Sequence, residues 1–112
     1  MDKENNTALH LAAQNGYTST VELLLRGGAL IEVMSKKNNT PLHHAARGGH
    51  TGVVELLLRQ GANIEAMDSD SNTPLHFAAR SGNTRVVILL RQKGALLHHA
   101  QNKHGKLPLH LA

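Results

Sequence analysis

The chain has 112 residues, a formal net charge of +4 and no cysteine, which limits it to one small domain and excludes disulfides and thiolate metal sites. Hydrophobic residues make up 40%, but the aromatic set is only Tyr17 and Phe77, so a core must be built from Leu, Val, Ile and Ala. The start "MDKENNT" has no apolar run of the signal-peptide kind, and no later run approaches the length of a bilayer span; an intracellular protein without membrane attachment is expected.

The first element begins in "NTALHLAAQNGYT" at Asn6 and the second in "VELLLRGGA", which ends at Ala29. The same pair returns as "NTPLHHAARGGHT" from Asn39 with "VELLLRQGA" to Ala62, and again as "NTPLHFAARSGNT" from Asn72 with "VILLRQKGA" to Ala95. Each start lies 33 residues after the last. A partial fourth copy, "KLPLHLA", runs from Lys106 and arrives one residue late, after an insertion in "GALLHHAQNK". In-register agreement over about two-thirds of the first two units marks a repeat architecture rather than a chance motif.

The middle unit, 35–67, shows the local logic. Thr40 before Pro41 predicts a helix start, with a hydroxyl cap and a proline where no amide partner is needed. Gly48 and Gly49 end this short helix. Thr51 is expected to cap a second helix, whose Val53, Val54, Leu56, Leu57 and Leu58 cover a broad apolar face before Gly61 stops it. Gly28 and Gly94 hold the stopping place in the flanking units, and "ANIEAMDSDSN" then leads as an extended turn to the next Thr-Pro. Two helices this short are not stable alone. Stacked, their leucine faces close into one continuous core.

These units resemble ankyrin repeats, whose signature T-P-L-H-x-A is met in full by "TPLHHA" (Thr40 to Ala45) and "TPLHFA" (Thr73 to Ala78). "TALHLA" carries Ala8 in place of proline, and "LPLHLA" carries Leu107 in place of threonine. The resemblance implies an all-α solenoid of stacked helix-turn-helix units with protruding β-hairpin-like loops. It implies a single domain over 1–112, with repeats at about 2–34, 35–67 and 68–100 and a partial one at 101–112. The loop position commonly glycine in the family holds Asn5, Asn38 and Ser71. Asparagine tolerates a left-handed backbone; Ser71 fits it less well. In the third unit Ile88 replaces Glu22 and Glu55, and Arg91 replaces Leu25 and Leu58. Either Arg91 extends its stem out of the interface or the helix shifts phase. The contact from the third unit to the fourth is expected to be the weakest.

His10, His43, His76 and His110 share one slot, and the resemblance gives this histidine a structural role, hydrogen-bonding neighbouring loop backbone. His44, where the other units have Leu11 and Phe77, is expected to pack between helices with one polar edge exposed. His98, His99 and His104 cluster around the insertion but lack i, i+4 ligand spacing and a supporting cysteine, so no metal site is assigned. Ser19, Ser35, Ser69, Ser71 and Ser81 fall in loops or at helix ends, none in a nucleophile elbow. Glu22 and Glu55, like Glu32 and Glu65, recur by repeat position, as a solvated face does. No glycine-rich phosphate loop is present. No catalytic residue and no cofactor are expected.

Equivalent positions in a stack line up into stripes. The family binds partners through loop tips and the exposed side of the first helices, and that implication carries over by position. The tips hold Lys3, Glu4 and Asn6, then Lys36, Lys37 and Asn39, then Ser69, Asp70 and Asn72. The first-helix ends add Gln14 and Asn15, then Arg47, then Arg80 and Ser81, and the turns add Tyr17, His50 and Asn83. Lys36, Lys37, Arg47 and Arg80 form a positive stripe suited to an acidic partner. Arg47, Arg80 and Tyr17 are the residue types that most often dominate interface energy. The leading reading is a non-catalytic protein-protein interaction scaffold, expected to be a fragment of a longer array or of a multidomain protein. The alternative is a metal- or nucleic-acid-responsive binder using the histidine cluster or the basic stripe, although scarce aromatics argue against nucleic acid. Weak self-association through Ile88 and the uncapped ends is a third expectation.

Overall fold

A computed structural model of the chain describes residues 5–94. Lys3 and Glu4, His98, His99, His104 and His110, Leu107 and the partial fourth unit lie outside the described residues. Six helices follow in order: α1 (Ala8–Gln14), α2 (Thr18–Arg26), α3 (Pro41–Gly48), α4 (Thr51–Arg59), α5 (Pro74–Arg80) and α6 (Thr84–Gln92). There is no strand among the described residues. α1, α3 and α5 pack side by side in one layer and α2, α4 and α6 in a second, while α1·α2, α3·α4 and α5·α6 join the layers. Each helix thus meets its own partner and its counterpart in the next unit, which is the contact pattern of a solenoid.

The three first helices start by the same device. Thr7, Thr40 and Thr73 are extended N-caps whose hydroxyls accept from the backbone N–H of His10, His43 and His76. Each histidine ring returns the favour by accepting from the threonine N–H at 3.0 Å. The box therefore forms at Thr7 despite Ala8, because proline only presets the backbone and takes no part in these bonds.

The second helices do not start as expected. Thr51 is the first helical residue of α4, and His50 before it is the N-cap with no side-chain cap bond. Thr18 and Thr84 stand in the same place after Tyr17 and Asn83. The turn decides this: His50 N–H donates to Ala45 O and His50 O accepts from Val54 N–H, so backbone geometry opens the helix one residue before the hydroxyl.

The core is aliphatic, as composition requires. Leu9, Leu42 and Leu75 seal the inner layer, and Val53, Val54, Leu57, Val86 and Leu90 seal the outer one, all nearly or fully inaccessible. Val86 and Leu90 repeat the burial of Val53 and Leu57 while Ile88 and Arg91 face solvent. Helix α6 has not shifted phase; Arg91 simply points outward. The loops close as single-rung turns, with Ser35 N–H donating to Asn39 O and Asp68 N–H to Asn72 O. Asn5, Asn38 and Ser71 all adopt left-handed backbone, φ 60°, 63° and 63°. Ser71 holds it because Asp68 braces the turn: its carboxylate accepts from Asp70 N–H (2.9 Å) and Asn72 N–H (2.8 Å).

Gly49 offers a direct check on the stacking. It caps α3 at φ 74°, and a Cβ there would lie 2.8 Å from Asn83 Oδ1. The Asn83 amide donates to Ala46 O and Arg47 O, both at 3.0 Å, so Gly49→Ala combines backbone strain with a displaced inter-unit bond. Urea denaturation should show a loss of about 2 kcal/mol. Gly82→Ala, at φ 71° with nothing within 4 Å of the added carbon, should lose only about 1 kcal/mol.

Candidate partner-binding face

The inner layer and the loop tips present two adjoining clefts. The first, of about 360 Å³, lies between the first unit and the second, with Gln14, Lys37, His44 and Arg47 in its lining. The second, of about 320 Å³, lies between the second and third, with Lys37, Arg47, Asp68, Asp70 and Arg80 among its lining residues. Lys37, Asn39 and Arg47 belong to both and form the wall between them.

The histidines build the scaffold beneath. Because Thr N–H must donate to Nδ1, each imidazole carries its proton on Nε2. That proton goes to the next unit: His10 Nε2–H donates to Asn39 O and His43 Nε2–H to Asn72 O, both at 2.8 Å. His44 is fully enclosed rather than edge-exposed: its Nδ1 lies 2.8 Å from Gln14 Oε1, and its ring meets His10 edge-on at 4.9 Å. The neighbouring unit covers the edge that was expected to reach water.

Burial holds the pKa of His43 below the usual 6.5, against smaller upward pulls from the Asn72 carbonyl, Asp68 and the Ala66 carbonyl; Arg47 adds a small push downward. Between the folded value and 6.5, the unfolded chain binds a proton that the folded chain does not. Stability from this group is therefore complete above pH 6.5 and is lost as pH falls below it. Chemical denaturation should show the unfolding free energy contributed by His43 falling as pH is lowered below 6.5.

The face sorts the sequence-derived residues into three groups. Tyr17, Lys36, Lys37, Arg47, Ser69 and Arg80 are exposed, and Asn6, Gln14, His50, Asp70 and Asn83 are half-buried. Asn39 and Asn72, expected at the tips, are buried: their carbonyls receive the loop-closing and histidine bonds, which draws them under the loop. His50 Nε2–H donates to Gln14 O at 2.8 Å, so His50, like Asn83, is spent on holding units together. Tyr17, His50, Asn83, Lys36 and Ser69 line neither of the two clefts. Glu32, expected on a solvated face, accepts from Asn63 N–H at 2.6 Å and staples adjacent loops, whereas Glu22 pairs with Arg26 at the surface.

Phe77 and Asp68 escaped the sequence reading. The Arg47 and Arg80 guanidinium carbons lie 4.9 and 5.7 Å from the Phe77 ring centre, and such contacts hold a flexible cation in place. A lone Phe among buried positions gave no hint of a platform for two arginines. The "DSDSN" run did carry a signal, an Asx-turn residue, but its burial depended on the neighbouring loop. That neighbour is recorded by Ser69 N–H, which donates to Lys37 O at 2.8 Å.

Among the described residues, no three His, Cys, Asp or Glu side chains are placed to hold a metal ion, and no helix is long and apolar enough to cross a membrane. A family model described as "Ankyrin repeats (3 copies)" matches residues 1–68 and 61–112. No curated protein matches the chain.

Proposed function

The chain belongs to the ankyrin-repeat family, and from that premise we propose that it is a non-catalytic scaffold that grips a partner protein on the cleft-bearing inner face. Ankyrin repeats are in general protein-protein interaction modules. The supporting observation is the exposed cationic row of Lys37, Arg47 and Arg80, brought into one cleft with both arginines over the Phe77 ring. A rigid row of charge lowers the ordering cost of binding. Gln14, Asn6 and Asp70 contribute the polar rim, and Lys36 and Ser69 flank it from the tips. Lys3 and Glu4 extend the same stripe by position. The proposal takes the chain as one intracellular domain of 33-residue units at 2–34, 35–67 and 68–100 with a partial unit at 101–112.

The test is a pull-down from native extract with the Arg47→Glu plus Arg80→Glu double variant beside the parent. Both side chains are exposed but lie over Phe77, so a melting curve recorded beside the pull-down separates lost contacts from lost binding; with the fold retained, captured protein should fall by about tenfold or more. An unchanged set of captured proteins would remove this face from consideration. Weak self-association through Ile88, which is 49% exposed, is a separable part of the proposal, and sedimentation velocity across a concentration series tests it.

A further inference from the structure

Equivalent positions of the first and second units are buried to different extents. Leu23 is 66% exposed, whereas Leu56, 33 residues on, is 3% exposed. Leu11 is 41% exposed, whereas His44 in the same place is 3% exposed. Leu24 is half-buried where Leu57 is inaccessible, and Ala8 is exposed where Pro41 is buried. The second unit is closed because α1 and α2 pack on α3 and α4. Among the described helices, α1 and α2 have neighbours in the stack on the second unit's side only. Their other side stays open.

Leu30 enlarges this open side. It is 74% exposed and stands where the second unit has Asn63. Leu24, Leu30 and Val33 are among the residues lining an apolar groove of about 200 Å³ there. No charged side chain of the described residues lines it. An apolar patch of this kind marks a contact surface rather than a solvated one.

We propose that the open side of the first unit binds the same side of a second copy of this chain, in a two-fold dimer. The surface continues an interface already on display, since its counterpart in the second unit is buried against a helix pair in the stack. In a two-fold contact the same residues face each other, so Leu23 and Leu30 of both copies are covered at once. A head-to-tail contact would leave one open side exposed at the end of every assembly. The groove shares no lining residue with either cleft, so dimerisation leaves the cationic row free for a partner.

Sedimentation velocity across a concentration series tests this on the parent, on Leu23→Glu plus Leu30→Glu, on Leu30→Asn and on Ile88→Glu. The substituted side chains are exposed, and circular dichroism checks that each variant folds. The parent should pass from monomer to dimer and stop there. Added sodium chloride should tighten the dimer, because each copy carries a net charge of +4 and salt screens their repulsion. The double variant should raise the dissociation constant about tenfold or more. Leu30→Asn installs the residue that the second unit already folds around and should weaken the dimer in the same direction. Ile88→Glu should leave it unchanged. A monomer at every concentration, growth past the dimer, or dispersal by Ile88→Glu in place of the leucine variants would overturn the inference. None of these results bears on the partner-binding clefts, which the pull-down tests separately.

Discussion

Replacing His43 by alanine is expected to lower unfolding free energy by about 3 kcal/mol, with the melting midpoint dropping by more than about 10 °C. The side chain is fully buried and joins two units. Its Nδ1 accepts from Thr40 N–H at 3.0 Å, and its Nε2–H donates to Asn72 O at 2.8 Å. Alanine leaves the Thr40 amide orphaned at the start of α3, which carries most of the cost. Asn72 O keeps the bond from Asp68 N–H and loses only its second donor. The ring also meets the edge of Phe77, centroids 5.3 Å apart, so a cavity adds to the penalty. His43→Phe fills the cavity without restoring the bonds, and its loss should be nearly as large. Urea titration followed by circular dichroism measures both. A loss below about 1 kcal/mol for His43→Ala would show that water replaces these bonds at no cost. The part of the pH dependence that His43 contributes should be missing from either variant, since the group that binds the proton is gone.

Leu57→Ala should be of similar size, about 3 to 4 kcal/mol, near the middle of the range for buried leucine truncation. Leu57 is wholly inaccessible and sits on α4, which packs against α2 on one side and α6 on the other. Neighbours on both sides prevent collapse into the void. Leu24 holds the same position one unit earlier and is only half-buried, so Leu24→Ala should cost about half as much. The ratio matters more than either value, because it reads the one-dimensional character of the stack: central layers have two neighbours and the first described layer has one. Equal losses would indicate a single global core instead.

The helices, their order and the aliphatic core were legible because period and punctuation are local. Thr-Pro starts, glycine stops and leucine faces act within a few residues of chain, and the 33-residue recurrence reported them three times. The histidine slot was legible as a recurrence and its bond to the neighbouring loop as what the resemblance implies; its part in capping the threonine came only from the structure. Thr51 misled because a hydroxyl in front of an apolar run is a good cap only if the preceding turn lets it be one, and that turn is set by Gly49 and His50 together.

The proposed binding face was legible only in part. Lys37, Arg47 and Arg80 could be placed on one side from repeat register. That Asn39 and Asn72 would be drawn under the loops could not, since the bonds that bury them come from His10 and His43, 29 residues earlier. His50 and Asn83 look like variable surface positions, yet their side chains reach backbone carbonyls 36 and 37 residues away.

By itself, then, the sequence determined the repeating unit, because each unit's helix signals and apolar faces are written in contiguous residues and need no partner to be read. The tertiary structure alone decided which polar side chains are spent on the next unit and which remain to meet a ligand. That division depends on distances between residues about one repeat apart, and a hydrogen bond across the stack leaves no mark on the local pattern at either end.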